Sequence, residues 1–146
     1  IIQLTHALYY FKDPADTLEK LRNLLAPNGK LIMVHAPNEH LNQLSECFWS
    51  HHVDHDIWFS NRLGEHLVQE SMDFTRRRIK GEEDVTQGFE SGCEHGEKLL
   101  DFITQNDCRK SGVEVLERCL YFLKKISHID GSSLKVEHPA DIFVVC

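Results

Sequence analysis

Apolar and polar positions along the chain follow two rhythms. The run IIQL at residues 1–4 is short, apolar and bounded by polar residues, the pattern of a strand buried on both faces of a parallel sheet. Asp13 can then cap a helix whose first turn holds Pro14, where a missing N–H costs nothing. Leu18, Leu21, Leu24 and Leu25 fall on one face of that helix, and APNG, with Pro27 and Gly29, stops it. KLIMVHA at residues 30–36 predicts a second buried strand. Strand, helix and strand make a βαβ unit, which demands a parallel pair and a right-handed crossover.

Beyond it, the pattern predicts a helix from about Glu39 to Trp49 and a following loop. Ser60 is placed to cap the next helix, in which Leu63, Leu67 and Val68 form an apolar side. MDFTRRRIKG reads as a third strand, partly exposed, with Arg76, Arg77 and Arg78 forming a solvated face. A glycine-punctuated loop leads to a helix carrying Leu99, Leu100, Phe102 and Ile103. A longer amphipathic helix covers about Val113 to Ile126, with Leu116, Cys119, Leu120 and Leu123 at helical spacing, and ADIFVVC closes the chain as a last strand. No internal repeat is evident.

Composition narrows the function classes. At 146 residues the chain fits one domain and can bury about two thirds of its unfolded surface. A formal charge of −7, and a basic run flanked by Glu82, Glu83 and Asp84, argue against a nucleic-acid surface. The five cysteines are odd in number, and no pair has C-x-x-C spacing, so reduced thiols in a cytoplasmic protein are expected. No segment is long and apolar enough to span a membrane.

The order of elements resembles the second half of a Rossmann-like methyltransferase sheet, an α/β arrangement of about four strands with flanking helices. In such folds ligands sit beyond the carboxyl ends of the strands. Thr5, His6, Tyr9 and Tyr10 follow the first strand and so fall at that edge. A methyl donor or dinucleotide also needs a glycine-rich first turn, because only glycine lets the backbone come that close. The eight glycines include no G-x-G, and we expect the first half, with its cofactor loop and ribose-binding acid, upstream of residue 1.

Two stretches carry a more specific likeness. LYYFKDPADTLEKLRNLLAPNGKLIMV resembles the helix after strand 4 and strand 5 of histamine N-methyltransferase and its relatives, class I enzymes that use S-adenosylmethionine. DVTQGFESGCEHGEKLLDFIT is similar without a gap to the segment before that family's active-site helix, sharing Asp84, Phe89, Gly92, Glu94, Gly96, Leu99, Asp101, Phe102 and Thr104. The resemblance implies that residues 1–146 are the C-terminal part of a single methyltransferase domain, strand 4 to strand 7, with substrate-pocket helices near 96–126. It implies that Thr5 touches the cofactor, and that Tyr9, Tyr10 and Phe102 help form the acceptor pocket. His6 stands where the family has a glutamine near the substrate, and Pro139, beside His138, where it has a substrate-binding asparagine. It implies an S-adenosylmethionine-dependent N-methyltransferase acting on a small amine or imidazole such as histamine, monomeric at full length. The isolated chain, which supplies the acceptor-binding half but has no glycine loop or ribose-binding acid, is expected to be inactive.

Methyl transfer to an amine needs a neutral nucleophile held close to the methyl carbon. Aromatic faces stabilise cationic groups by roughly 0.5–2 kcal/mol, and imidazole titrates near neutrality, so tyrosine, phenylalanine and histidine suit the task. On the residues alone, ordinary packing at a helix entry is the favoured account of Tyr9 and Tyr10. SHHVDH offers His51, His52, Asp54 and His55 as zinc- or nickel-binding types, although solvated loop histidines explain it without a metal. The competing function class is a noncatalytic truncated relative serving as an interaction module, or a fragment of an incomplete gene model.

Overall fold

The computed structural model describes residues 1–49, 54–107 and 110–146. Among these residues, seven strands and five α-helices divide between two compact units. The first comprises residues 1–38, 54–80 and 139–146, and the second residues 39–53 and 81–138.

The first unit is built on a four-stranded sheet. Strand β1 (Ile2–Thr5) runs parallel to β2 (Leu31–His35), as the βαβ pattern requires, with helix α1 (Pro14–Asn23) between them. Asp13 caps α1: its Oδ1 accepts the Asp16 amide at 2.9 Å, an interaction worth about 0.5–2 kcal/mol. Helix α3 (Ser60–Gln69) and strand β3 (Phe74–Ile79) follow, and β7 (Ala140–Val145) inserts antiparallel between β2 and β3, giving the order β1-β2-β7-β3. One sheet face presents Leu31, Met33, Phe143 and Val145, all buried, against Leu18, Leu63, Leu67 and Trp58.

Three expectations for this unit need correction. The run IIQL is not buried on both faces. In β1, Ile2 and Leu4 pack on the core while Gln3 and Thr5 are exposed, since only one face of that strand is covered among the described residues. Ser60 is not the helix cap. Phe59 holds that position, and the Ser60 hydroxyl donates instead to Asp141 at 2.5 Å. The arginines are not simply a solvated face either, because Arg76 Nη2 and Arg78 Nε donate to Asp141 at 2.6 and 2.9 Å. Asp141 is completely buried, and these partners offset the loss of its water.

The second unit packs α2 (Leu41–Trp49), α4 (Glu94–Thr104) and α5 (Val113–Ile126) around Leu41, Leu44, Leu100, Ile103, Cys119 and Leu123. It also contains an unforeseen antiparallel sheet of β4 (Glu82–Asp84), β5 (His128–Asp130) and β6 (Ser133–Glu137), ordered β4-β6-β5. Gly96, at the start of α4, lies against the 3-10 turn Thr86–Phe89 so closely that a Cβ there would stand 1.9 Å from the Gln87 carbonyl oxygen. Among the described residues no helix is long and apolar enough to cross a membrane.

Candidate functional site at the ends of two parallel strands

Pairing register brings several residues of the first unit to one end of its sheet. Thr5 is opposite Val34, and His35, the last residue of β2, is opposite Asp141 near the amino end of the antiparallel β7. The carboxyl ends of β1 and β2 and the segment around Pro139 therefore share an edge. Pro139 is buried there, immediately before β7.

At the end of β1 the chain turns sharply. His6 takes a left-handed backbone, φ +46°, which is uncommon for a side chain other than glycine, while its amide still donates to Val34 O at 2.8 Å. That turn leaves Thr5 exposed at the strand tip, where its Oγ1 accepts from Gln3 Nε2 at 3.1 Å. It also directs the following 3-10 turn, Leu8–Tyr10, back over the sheet. Leu8 is buried in the core, and the two tyrosine rings meet edge to face with centroids 4.8 Å apart. Tyr9 is half-buried and Tyr10 is 62% exposed.

The Tyr9 ring lies on His35, centroids 4.8 Å apart and planes 26° from parallel. His35 is 1% exposed, and its Nε2 hydrogen-bonds the Trp58 carbonyl oxygen. A carbonyl only accepts, so Nε2 carries the proton in the neutral ring. Burial pushes this imidazole down to about 4; the Trp58 bond opposes the shift and neighbouring His6 adds to it. The ring behind Tyr9 is therefore uncharged at neutral pH. Burial, and then Tyr10, push the Tyr9 phenol up to about 12. His55, half-buried, donates through Nε2 to Tyr9 O at 3.2 Å, tying the turn to the segment before α3.

Phe102 belongs to the second unit, on α4, and is 67% exposed. His138, also of that unit, donates its amide to Gly81 O at 2.8 Å; burial lowers its pKa, and its Nδ1 is buried without a hydrogen-bond partner among the described residues. His51 and His52 lie outside the described residues. Among those described, no three histidine, cysteine or acidic side chains are grouped to hold a metal ion.

His35 and Trp58 were not foreseen as parts of this edge. A histidine closing an otherwise apolar strand, LIMVH, was the available signal, since a buried imidazole requires a partner.

The comparisons agree with the resemblance read from the sequence. Histamine N-methyltransferase B of Xenopus laevis is 30% identical over 115 residues, covering 75% of this chain and 39% of its own length. The histamine N-methyltransferase of Xenopus tropicalis is 29% identical over 140 residues, covering 84% and 44%, and that of Danio rerio 30% over 108 residues, covering 71% and 37%. The chain thus spans about two fifths of the length of these relatives. A solved structure from Bacillus halodurans, provisionally named a methyltransferase, superimposes with a TM-score of 0.53 over 98% of this chain and 66% of its own, at 10% identity. The fold is α/β and consistent with the Rossmann-like class I methyltransferase sheet. No protein-family profile matches the chain.

Proposed function

We propose that this chain carries the acceptor-binding part of an S-adenosylmethionine-dependent N-methyltransferase acting on a small amine or imidazole such as histamine. The observation that carries the reading is the convergence of Thr5, His6 and Tyr9 at the carboxyl ends of two parallel strands, where open α/β sheets bind their ligands. Relatives named histamine N-methyltransferase support the choice of chemistry and acceptor.

The residues present fit one edge of the cofactor. Thr5 offers an exposed hydroxyl, and Tyr9, backed by neutral His35, offers an aromatic surface without a positive charge to repel a sulfonium. The cofactor supplies an electrophilic methyl group; the protein's task is to present a neutral nitrogen to it. In this proposal Thr5 faces the cofactor, and His6, Tyr9, Tyr10 and Pro139, all of the first unit, surround the acceptor. Tyr9 positions the acceptor ring or ammonium by its face, and buried Pro139 shapes the wall without a polar group. His6 hydrogen-bonds the acceptor and holds its proton as the nitrogen becomes the nucleophile. We extend the proposal to a cytoplasmic monomer, in line with the free thiols of Cys93 and Cys146.

The test uses the protein encoded by the complete transcript, assayed for methyl transfer from S-adenosylmethionine to histamine and to other small amines. Transfer is expected, with kcat/KM about 10- to 100-fold lower in Tyr9→Ala, the range in which misplaced substrate lowers rates. His6→Gln should raise preference for histamine. A well-folded protein that binds no S-adenosylmethionine and transfers no methyl group would replace this reading with that of an interaction module.

A further inference from the structure

In the second unit a cavity of about 560 Å³ opens between α2 and α5. Its walls follow from helical spacing. Leu44, Cys47 and Phe48 are three and four residues apart on α2, while Val115, Cys119 and Phe122 recur at the same interval on α5. A volume of this size and an apolar lining are typical of small-molecule sites. None of its lining residues belongs to the sheet edge described above.

The polar groups at the cavity decide what it can take. Asn106 Nδ2 donates to Ser111 Oγ at 3.0 Å, and Asn106 Oδ1 accepts the Asp107 amide at 2.9 Å, so these neighbours satisfy one another. Arg118, three residues after Val115 on the same helix face, also lines the cavity. It is exposed and makes no ion pair among the described residues. An arginine beside an apolar slot matches a carboxylate, which its planar fork can hold by two parallel hydrogen bonds.

We propose that this cavity is a binding site for a small carboxylate with an apolar, aromatic-sized body, the body between Phe48 and Phe122 and the carboxylate on Arg118. The site stands independently of the methyl-transfer reading. It is tested by titrating the intact chain with 1-naphthaleneacetate, using ligand fluorescence, beside 2-(1-naphthyl)ethylamine as a cation of similar shape. Saturable binding of the carboxylate is expected, with the amine at least about tenfold weaker. Arg118→Gln, at an exposed position, should weaken carboxylate binding at least about tenfold and leave the amine unaffected. Val115→Trp, which fills the slot, should abolish binding while circular dichroism shows the fold retained. The ligand should also slow alkylation of Cys47 by N-ethylmaleimide, a readout that needs no substitution. No saturable binding, equal binding of acid and amine, an unchanged Arg118→Gln titration or unprotected Cys47 would each overturn the proposal.

Discussion

The imidazole of His35 stacks on the ring of Tyr9 and hydrogen-bonds the Trp58 carbonyl oxygen, so a single buried side chain ties the end of β2 to two loops. The same histidine makes stability depend on pH. Its folded pKa of about 4 lies below the ordinary 6.5, so the unfolded chain binds the proton more readily. The stabilisation is fully present above pH 6.5 and is lost as pH falls toward 4, amounting to about 3 kcal/mol across that window. Urea unfolding at pH 7, 5.5 and 4.5 should show the decline. His35→Phe, which keeps a ring against Tyr9, should reduce it, leaving the part contributed by His138, while costing about 1–3 kcal/mol at pH 7 for the Trp58 carbonyl left unpaired.

Asp141 predicts a second, more acidic transition. Burial alone would raise its carboxyl, but hydrogen bonds from Arg78, Arg76 and Ser60 outweigh it and hold the group down at about 2. Stability from this network is complete above the ordinary value of 3.8 and is lost as pH falls toward 2, about 2 kcal/mol in all. Asp141→Asn should destabilise the protein by about 2 kcal/mol at pH 7, the amount lost on neutralising the carboxylate, since the two arginines it leaves are part-exposed. The same substitution should reduce the dependence between pH 4 and 2, measured by thermal unfolding, and leave the part contributed by Asp54, Asp84 and Asp130.

Tyr9 should be visible in an alkaline absorbance titration. One phenol is expected to ionise near 12, in keeping with its burial and the neighbouring Tyr10. Tyr9→Phe should delete that late component. Its persistence in the variant would assign the late phenol elsewhere and contradict the burial of Tyr9.

Gly96 makes a purely steric prediction. A Cβ 1.9 Å from the Gln87 carbonyl oxygen cannot be absorbed by a side-chain rotation, because the obstacle is backbone. Gly96→Ala should therefore separate α4 from the preceding 3-10 turn and cost at least about 2 kcal/mol, although alanine is the better helix former. Denaturant unfolding checks the sign: stabilisation would mean that the turn is free to move.

Where the chain spoke through local rhythm, it was legible. The helices around Leu18, Leu63, Leu100 and Leu123, and the strands LIMVH and ADIFVV, repeat apolar residues at their own periods and appear where those periods put them. The second sheet had no such rhythm. Strands β4 and β5 have three residues each, all exposed, so neither carries an apolar stripe. The Asp141 cluster was hidden for a different reason, since its arginines lie 65 and 63 residues away and only the register of β3 on β7 brings them together. Its trace in the sequence was one carboxylate in an otherwise apolar strand. At the candidate site, Thr5, His6 and Tyr9 were legible from their place after β1, whereas the backing by His35 needed the fold.

The position of β7 also sets an order of events during synthesis. This strand comes last of the seven, yet it pairs on one side with β2 and on the other with β3. While residues 140–145 are still inside the ribosome, β2 and β3 have no strand between them, and Asp141 is not yet available to Arg76 and Arg78. The nascent first unit must therefore wait with the edges of β2 and β3 open. Chaperone capture should accordingly be greater for chains cut before residue 140 than for chains that carry residues 140–146.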